Sequence, residues 1–459
     1  MEKFLLVGSG GREHAIAQAL CEGSKARLYV AASSNNPGIH ALCLKTGGEM
    51  KTLDIHNPAQ VAQFAKANSI SLAFSSPDAT LEAGVSDKLI ELGIPTASPT
   101  RAASRLEWDK AFARKLMKKH NVPGQIKYGH FKSEKPAHAF IDELGGNVAI
   151  KPVGLTGGKG VRISGIHLAT IEDSKKYASE VIKSGIGGKG GVVIEEKLDG
   201  EEFTLQAFSD GRKLYGMPLV QDHKLAYEGD SGPNTGGMGS YSDANHLLPF
   251  APAHDYFEGM RIMTKIVNSF HKETGGYFRG VLYGQFMKTA DGIKVIEFNS
   301  RFGDPEAMNV MSIFKGDLFS SLHSLSQGDL KIDGYFEKKA TVCKYLVPEG
   351  YPIKSLTGQK LSVDLPSVSA HGAKIYFASI EEKEDGNLYT LSSRTIGIVG
   401  IADTIGEAQS LAEAACAHVK GPVWHRKDIG TAALIQKRVD HVLSFPPRKK
   451  DYSEDHDLI

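Results

Sequence analysis

The chain has 459 residues, of which 41% are hydrophobic and 23% charged, and a formal net charge of +1. That length exceeds what a single hydrophobic core supports, so about two to four domains are expected. The near-neutral charge excludes a global field that would recruit nucleic acid or an acidic membrane, and no stretch approaches the roughly 18 apolar residues of a membrane span.

The N-terminal apolar run, FLLV, is only a strand long and has no cleavage-like sequel, so no signal peptide is expected. Cys21, Cys43, Cys343 and Cys416 lack metal-type spacing and are read as reduced thiols of a cytoplasmic protein. Residues 4–7 form a buried-type strand, followed by Gly8, Ser9, Gly10 and Gly11 and a helix over 13–20. Strand, glycine turn and helix open a doubly wound α/β unit, in which helix N-terminal N–H groups favour an anion. A dinucleotide fingerprint is excluded in detail, because its third glycine falls on Glu13 and no acidic residue ends the next strand, 27–31. The alternation continues through a helix over 58–67, a strand over 72–74 and a helix over 81–92, giving one Rossmann-like domain over 1–106.

Residues 107–120 are amphipathic, with Trp108, Phe112 and Leu116 on one side and a basic opposite side from which Lys110 can reach a phosphate. The strand 148–152 carries Lys151 into a loop in which Gly154, Gly157, Gly158 and Gly160 surround Lys159. Such a loop can fold over phosphates with backbone N–H groups as ligands. It is not a Walker A loop, because Gly160 follows Lys159 and a strand, 161–163, follows the loop, which makes a β-hairpin lid. The strand 192–196 ends in Glu195 and Glu196, ahead of Lys197 and Leu198, and Glu202 follows the Asp199-Gly200 turn. Read functionally, this is an adenine edge held by backbone and a ribose held by a carboxylate; read blandly, it is a charged hairpin end. Asp222, His223 and Lys224 sit at another strand end, and residues 232–239 form a polar glycine loop of the kind that closes on a substrate.

The segment VIEFNSRFGDPE, residues 295–306, reads as a strand ending in a polar turn. Glu297 and Asn299 leave one face, with Arg301 next in the row. A carboxylate beside an amide oxygen suits a hard cation such as Mg²⁺ that shares nucleotide phosphate oxygens, and the adjacent guanidinium suits a phosphoryl or carboxylate group. Gln285 presents its amide oxygen to the same cation if the strand 280–287 pairs with 295–299 across Asp291-Gly292. Beyond about residue 335, strands over 340–347, 374–378 and 395–400 and a helix over 405–419, capped by Thr404, predict a third, α+β domain, with a flexible tail from 444.

In this order, GGREHA, LEWDKAFAR, KPVGLTGGKGV, VIEEKLDGEEFT, QDHK, GPNTGGMGSY, VIEFNSRFGDPE and HRKDIG resemble glycinamide ribonucleotide synthetases, ATP-grasp enzymes of purine synthesis, over nearly the whole chain. LYGQFM around Gln285 resembles the archaeal-type members. The resemblance implies an α/β and α+β multidomain fold: the Rossmann-like domain, an ATP-grasp domain over 107–330 with a lid over about 125–193, and a C-terminal domain over 331–443. It implies that Lys110, Lys151 and the loop Gly154, Gly157, Gly158, Lys159 and Gly160 hold ATP phosphates. Glu195, Glu196, Lys197 and Leu198 would form the adenine hinge and Glu202 the ribose contact, while Gln285, Glu297 and Asn299 bind Mg²⁺ or Mn²⁺. Asp222, Lys224, Arg301, Asp304 and the loop Asn234, Thr235, Gly236, Gly237 and Met238 would line a pocket for glycine and 5-phosphoribosylamine, with Gly8, Gly10 and Gly11 at its N-terminal wall.

The chain departs from the family pattern at Ser76, Asp78 and Thr80, where GPEAPL is usual, and at Leu225, where arginine is usual; both lie on the acceptor side. A ligase of small molecules is expected, as a monomer or weak homodimer, with no nucleic acid or membrane partner. The rival readings are another ATP-grasp ligase with a changed acceptor, a Rossmann oxidoreductase and a non-catalytic nucleotide-binding regulator.

Overall fold

The computed structural model of the chain describes residues 1–156, 160–188 and 190–446. Its first region is a parallel sheet in the order Glu49–Thr52, Arg27–Ala32, Lys3–Val7, Leu72–Ser75. Successive residues of Lys3–Val7 enter opposite cores. Leu5 and Val7 cluster with Tyr29, Val61 and Phe64, whereas Phe4 and Leu6 cluster with Ile16, Leu20 and Val30. Burial on both faces explains why this strand is an unbroken apolar run. The first helix spans Gly11–Gly23, and Pro58–Ala67 matches its expected bounds. The single helix expected over 81–92 is two, Asp78–Glu82 and Val85–Glu91, because Gly84 adopts φ +85° between them.

The central region holds two four-stranded antiparallel sheets. In the lid, Tyr128–Phe131, Val192–Glu196, Val148–Pro152 and Arg162–Ile163 lie side by side under the helices Glu134–Glu143 and Ile171–Ser184. Lys151 therefore leads into a hairpin, as expected, but Gly157, Gly158 and Lys159 lie outside the described residues. The second sheet runs Leu214–Gly216, Glu201–Asp210, Arg279–Thr289, Gly292–Asn299, with helix Ala253–Thr274 packed on it through Gly259, which lies against Leu205 and Phe286. The expected helix over 107–120 is broken: Arg105–Trp108 ends at Asp109, whose carboxylate accepts the Phe112 N–H and starts Lys110–Lys119.

The C-terminal sheet is not confined to the C-terminal residues. Its order is Gln221–Asp222, Gly239–Ser242, Ala340–Pro348, Ile396–Ala402, Ala373–Phe377, so two of its strands come from the central region. Gly239 makes the join possible. It adopts φ +152°, and a side-chain carbon there would come within 2.3 Å of the Cys343 carbonyl oxygen. The helix expected over 405–419 ends at Cys416, because Val419–Lys420 pairs with Lys360–Val363. Thr404 caps it, its hydroxyl accepting the Glu407 N–H at 3.2 Å. From residue 447 the expected tail lies outside the described residues, and among those described no helix is long and apolar enough to cross a membrane.

Phe302, fully buried, joins the regions: its ring lies 6.0 Å from that of Phe74 in the first sheet and 5.9 Å from that of Phe208 in the central sheet. Phe302→Ala is expected to cost about 3–5 kcal/mol by leaving a cavity between two regions, seen as a lower thermal midpoint. An unchanged midpoint would show that the two sheets do not depend on this contact.

Candidate active site

The four sheets meet around a cleft of about 610 Å³. Arg12 and Asp78 reach it from the first region, Lys110, Lys151, Leu155 and residues 195–200 from the lid side, and Glu202, Gln285, Glu297 and Asn299 from the central sheet. Asp222, Lys224, Asn234, Thr235, Gly236, Arg301 and Asp304 close the other end with Arg394.

One half is built on a buried ion triad. Lys151 Nζ lies 2.7 Å from Glu195 Oε2 and donates to the Ile296 carbonyl at 3.2 Å. Arg114 Nε donates to Glu195 Oε1 at 2.6 Å, and its two terminal nitrogens donate to the Val295 and Ile296 carbonyls at 3.0 and 2.9 Å. Burial alone would raise the Glu195 carboxyl, but Arg114 and Lys151 overcome it and hold the group at about 2. The Glu195 side chain, expected as a hinge contact, is thus committed inside the protein, and Arg114, one of the basic residues of 107–120, is buried. Glu196 accepts the Lys127 N–H at 2.7 Å and Lys197 Nζ donates to the Ser164 carbonyl at 2.9 Å, so both hinge side chains fasten the lid. Lys110 Nζ donates to the Gly154 carbonyl at 3.3 Å, beneath the lid hairpin. Gly154 and Gly160 do not line the cleft; Gly154 packs against the Gly187 carbonyl and Gly160 against Pro152 and Thr156.

Gln285 stands directly opposite Glu297 across the antiparallel pair, and Tyr283 opposite Asn299. Gln285 Nε2 donates to Glu202 Oε2 at 2.6 Å, which leaves its carbonyl oxygen unengaged. Glu202, expected at a ribose, also faces Lys224 Nζ at 3.4 Å and so belongs to this cluster. The side chains of Glu297 and Asn299 make no hydrogen bond or ion pair among the described residues. Burial would raise the Glu297 carboxyl, but Lys151, Lys110, Lys224 and Arg301 outweigh it and lower it. Unengaged oxygens from one carboxylate and two amides fit a hard divalent cation whose remaining ligands come from water or phosphate. Among the described residues no cluster of three or more His, Cys, Asp or Glu side chains is placed to hold a metal ion.

The other half is crowded with opposed charges. Arg301 Nη2 lies 2.9 Å from Glu107 Oε1, and burial pushes the Glu107 carboxyl up to about 7 although Arg301 holds it down. Asp304 accepts the Tyr345 hydroxyl at 2.6 Å and lies 3.2 Å from Arg394 Nη2. Arg394 Nη1 also donates to the carbonyls of Gly236, Gly237 and Asp304, which ties the glycine loop to the turn after Asn299. Asp222 Oδ1 is buried without a hydrogen-bond partner. Burial raises its carboxyl well above the usual range and Glu306 adds to this, while Lys224 and Arg394 oppose it.

Several expected contacts lie elsewhere. Gly237 and the fully buried Met238 belong to the glycine loop but do not line the cleft. Gly8, Gly10 and Gly11 do not line it either, because Glu13 fills the turn: its Oε2 accepts the Gly10 N–H at 2.7 Å and its side chain blocks Gly8. The residue that breaks the dinucleotide fingerprint is the anion at this helix N-terminus. Arg12 reaches the cleft instead, held by Glu13 at 2.7 Å and donating to the Phe302 carbonyl at 3.1 Å. Arg12 and Glu107 lie inside the motifs GGREHA and LEWDKAFAR, whereas nothing in the sequence points to Arg394.

Residues 2–107 match the phosphoribosylglycinamide synthetase N domain, 108–307 its ATP-grasp (A) domain and 341–432 its C domain. The chain belongs to the phosphoribosylglycinamide synthetase family. It is 48% identical over 440 residues to the phosphoribosylamine–glycine ligase of Methanothermobacter thermautotrophicus, covering 96% of this chain and 99% of that one. It is 49% identical over 442 residues to that of Methanosarcina barkeri, with coverage of 96% and 99%. The crystal structure of phosphoribosylamine–glycine ligase from Thermotoga maritima aligns with a TM-score of 0.78 at 26% identity, covering 93% of this chain and 100% of that one. The biotin carboxylase domain of Hydrogenobacter thermophilus 2-oxoglutarate carboxylase, solved with MgADP and bicarbonate, has a TM-score of 0.68 at 15% identity over 96% of this chain and 94% of that one, a likeness of fold alone. The family thus has the expected Rossmann-like, ATP-grasp and C-terminal domains in this chain.

In the triad, Glu195 is depressed from its usual 4.5 to about 2, so its stabilisation is complete above 4.5 and is lost as pH falls through about 2. Glu195→Gln should cost about 3 kcal/mol at neutral pH, the size of that shift. The gap in thermal midpoint from the unaltered protein should narrow below pH 4.5; a gap independent of pH would mean that Glu195 acts by packing alone.

Proposed function

We propose that this chain is an ATP-dependent ligase that joins glycine to 5-phosphoribosylamine through glycyl phosphate, giving glycinamide ribonucleotide, ADP and phosphate in purine synthesis. One observation carries the reading: the free oxygens of Gln285, Glu297 and Asn299 lie in one cleft between Lys110 and Lys151 on the nucleotide side and Arg301, Lys224 and Asp222 on the other. Relatives 48% and 49% identical over nearly their whole length bear the matching name.

In this reading Lys110, Lys151 and the lid hairpin hold the ATP phosphates, while Glu195 aims Lys151 and leaves adenine recognition to the hinge backbone. Gln285, Glu297 and Asn299 hold Mg²⁺ or Mn²⁺, which supplies charge neutralisation on the phosphate oxygens. A glycine carboxylate oxygen bonds to the γ-phosphorus and ADP leaves. The acceptor amine then bonds to the acyl carbon, phosphate leaves and the amine gives up one proton. No protein nucleophile is required, because positioning two anions is the main difficulty, and cations with fixed backbone N–H groups meet it. Asp222, with a buried oxygen that has no hydrogen-bond partner among the described residues, lines the acceptor end of the cleft. The lid and the glycine loop pinned by Arg394 keep water from the acyl phosphate. Glycine and phosphoribosylamine are small and water-soluble, which agrees with a cytoplasmic enzyme needing no macromolecular partner.

ADP release from Mg-ATP should require both glycine and freshly generated 5-phosphoribosylamine. Glu297→Ala should lower kcat by about 10²–10³-fold, the scale of losing one charged stabiliser. Turnover without glycine, or undiminished in the variant, would overturn the reading.

A further inference from the structure

The last helix, Ala432–Leu443, lies against the cleft through an ionic relay. Arg438 Nε is 3.3 Å from Glu201 Oε2, and Arg438 Nη2 is ion-paired with Asp230. Glu201 also accepts from His441 Nδ1 at 2.7 Å, and His441 Nε2 lies 3.4 Å from Asp199. These acids come from opposite ends of the site. Asp199 and Glu201 immediately follow the hinge, whereas Asp230 turns the hairpin of Leu225–Tyr227 and Ser231–Asn234 that leads into the glycine loop.

Asp230 adopts φ +57° and is gripped from three sides. Arg426, fully buried, donates to it at 3.1 Å, to the Leu225 carbonyl at 3.0 Å and to Asp428 at 2.7 Å. His223 Nδ1 lies 3.5 Å away. Burial would raise the Asp230 carboxyl, but His223, Arg438 and Arg426 outweigh it and keep it ionised. The segment 425–430 therefore anchors a hairpin of the central region.

The relay forms part of the cleft wall, and its neighbours in sequence turn to the other side chains of the site. Glu201 turns to Arg438, while Glu202 turns to Lys224 and Gln285. His223 faces Asp230, and both line the cleft, as do Glu201 and Arg438, alongside Asp222 and Lys224. We propose that Arg438 is a positioning residue whose bridge between Glu201 and Asp230 couples nucleotide binding at the hinge to glycine binding at the loop.

This inference rests on the reading of the cleft as a site for ATP and glycine, and the test separates the two. Glycine affinity of the full chain is measured by calorimetry with and without a non-hydrolysable β,γ-imido ATP analogue and Mg²⁺. The ratio of the two affinities is the coupling, and it cancels any uniform weakening of glycine binding. In the unaltered protein the ratio should be at least about fivefold, the low end of typical site coupling. In Arg438→Met it should fall below about twofold, and Arg438→Lys, which keeps the charge, should restore part of it. Glu201→Gln breaks the same bridge and should act alike if Arg438→Met fails to fold. An unchanged ratio in a folded variant, or no coupling in the unaltered protein, overturns the inference. Either result leaves the ligase reading to stand or fall on its own turnover assay.

Discussion

The site depends on the buried ion triad of Arg114, Lys151 and Glu195. Its charges come from a helix and two lid strands, and its cations bond the carbonyls of Val295 and Ile296, immediately before Glu297. The lid is thereby fixed to the strand that carries the expected metal ligands. Breaking such a pair leaves an uncompensated charge out of water, so the arrangement is held far more strongly than a surface ion pair. Glu195 and the Ile296 carbonyl hold the Lys151 ammonium at the wall of the cleft. The opposite half uses the same means: Arg301 meets the buried Glu107, and Arg394 meets Asp304.

Much of this was legible from short-range pattern. The run Val295 to Asn299 reads as a strand, and the Asp291-Gly292 turn pairs it with the strand before it. It is a one-residue bulge at Ile296, which no sequence signal announces, that shifts the register and brings Gln285 opposite Glu297. The Rossmann-like start followed from an apolar strand and a glycine turn, and the hairpin lid from a strand on each side of the glycine loop. These features are encoded within about a dozen residues, over which backbone geometry dictates direction.

What could not be read depends on partners distant in sequence. Glu195 looks like a strand-end acid until Arg114, 81 positions away, is seen to bond it. Glu13 looks like a defect in a fingerprint until its carboxylate is found occupying the helix N-terminus that a ligand would have used. Arg394 carries no local signal, yet it closes the glycine loop from 157 positions away. Likewise the strands Gln221–Asp222 and Gly239–Ser242 complete a sheet whose remaining strands begin at Ala340, a pairing that no periodicity reveals.

The central claim is that two anions are brought together so that glycine's own carboxylate is phosphorylated. Glycine labelled with ¹⁸O in its carboxylate tests this directly, by mass analysis of the phosphate formed during turnover with ATP and 5-phosphoribosylamine. Attack by the carboxylate on the γ-phosphorus places one labelled oxygen in each phosphate released. Unlabelled phosphate would show that water, not glycine, accepts the phosphoryl group, and would contradict the assignment of the cleft.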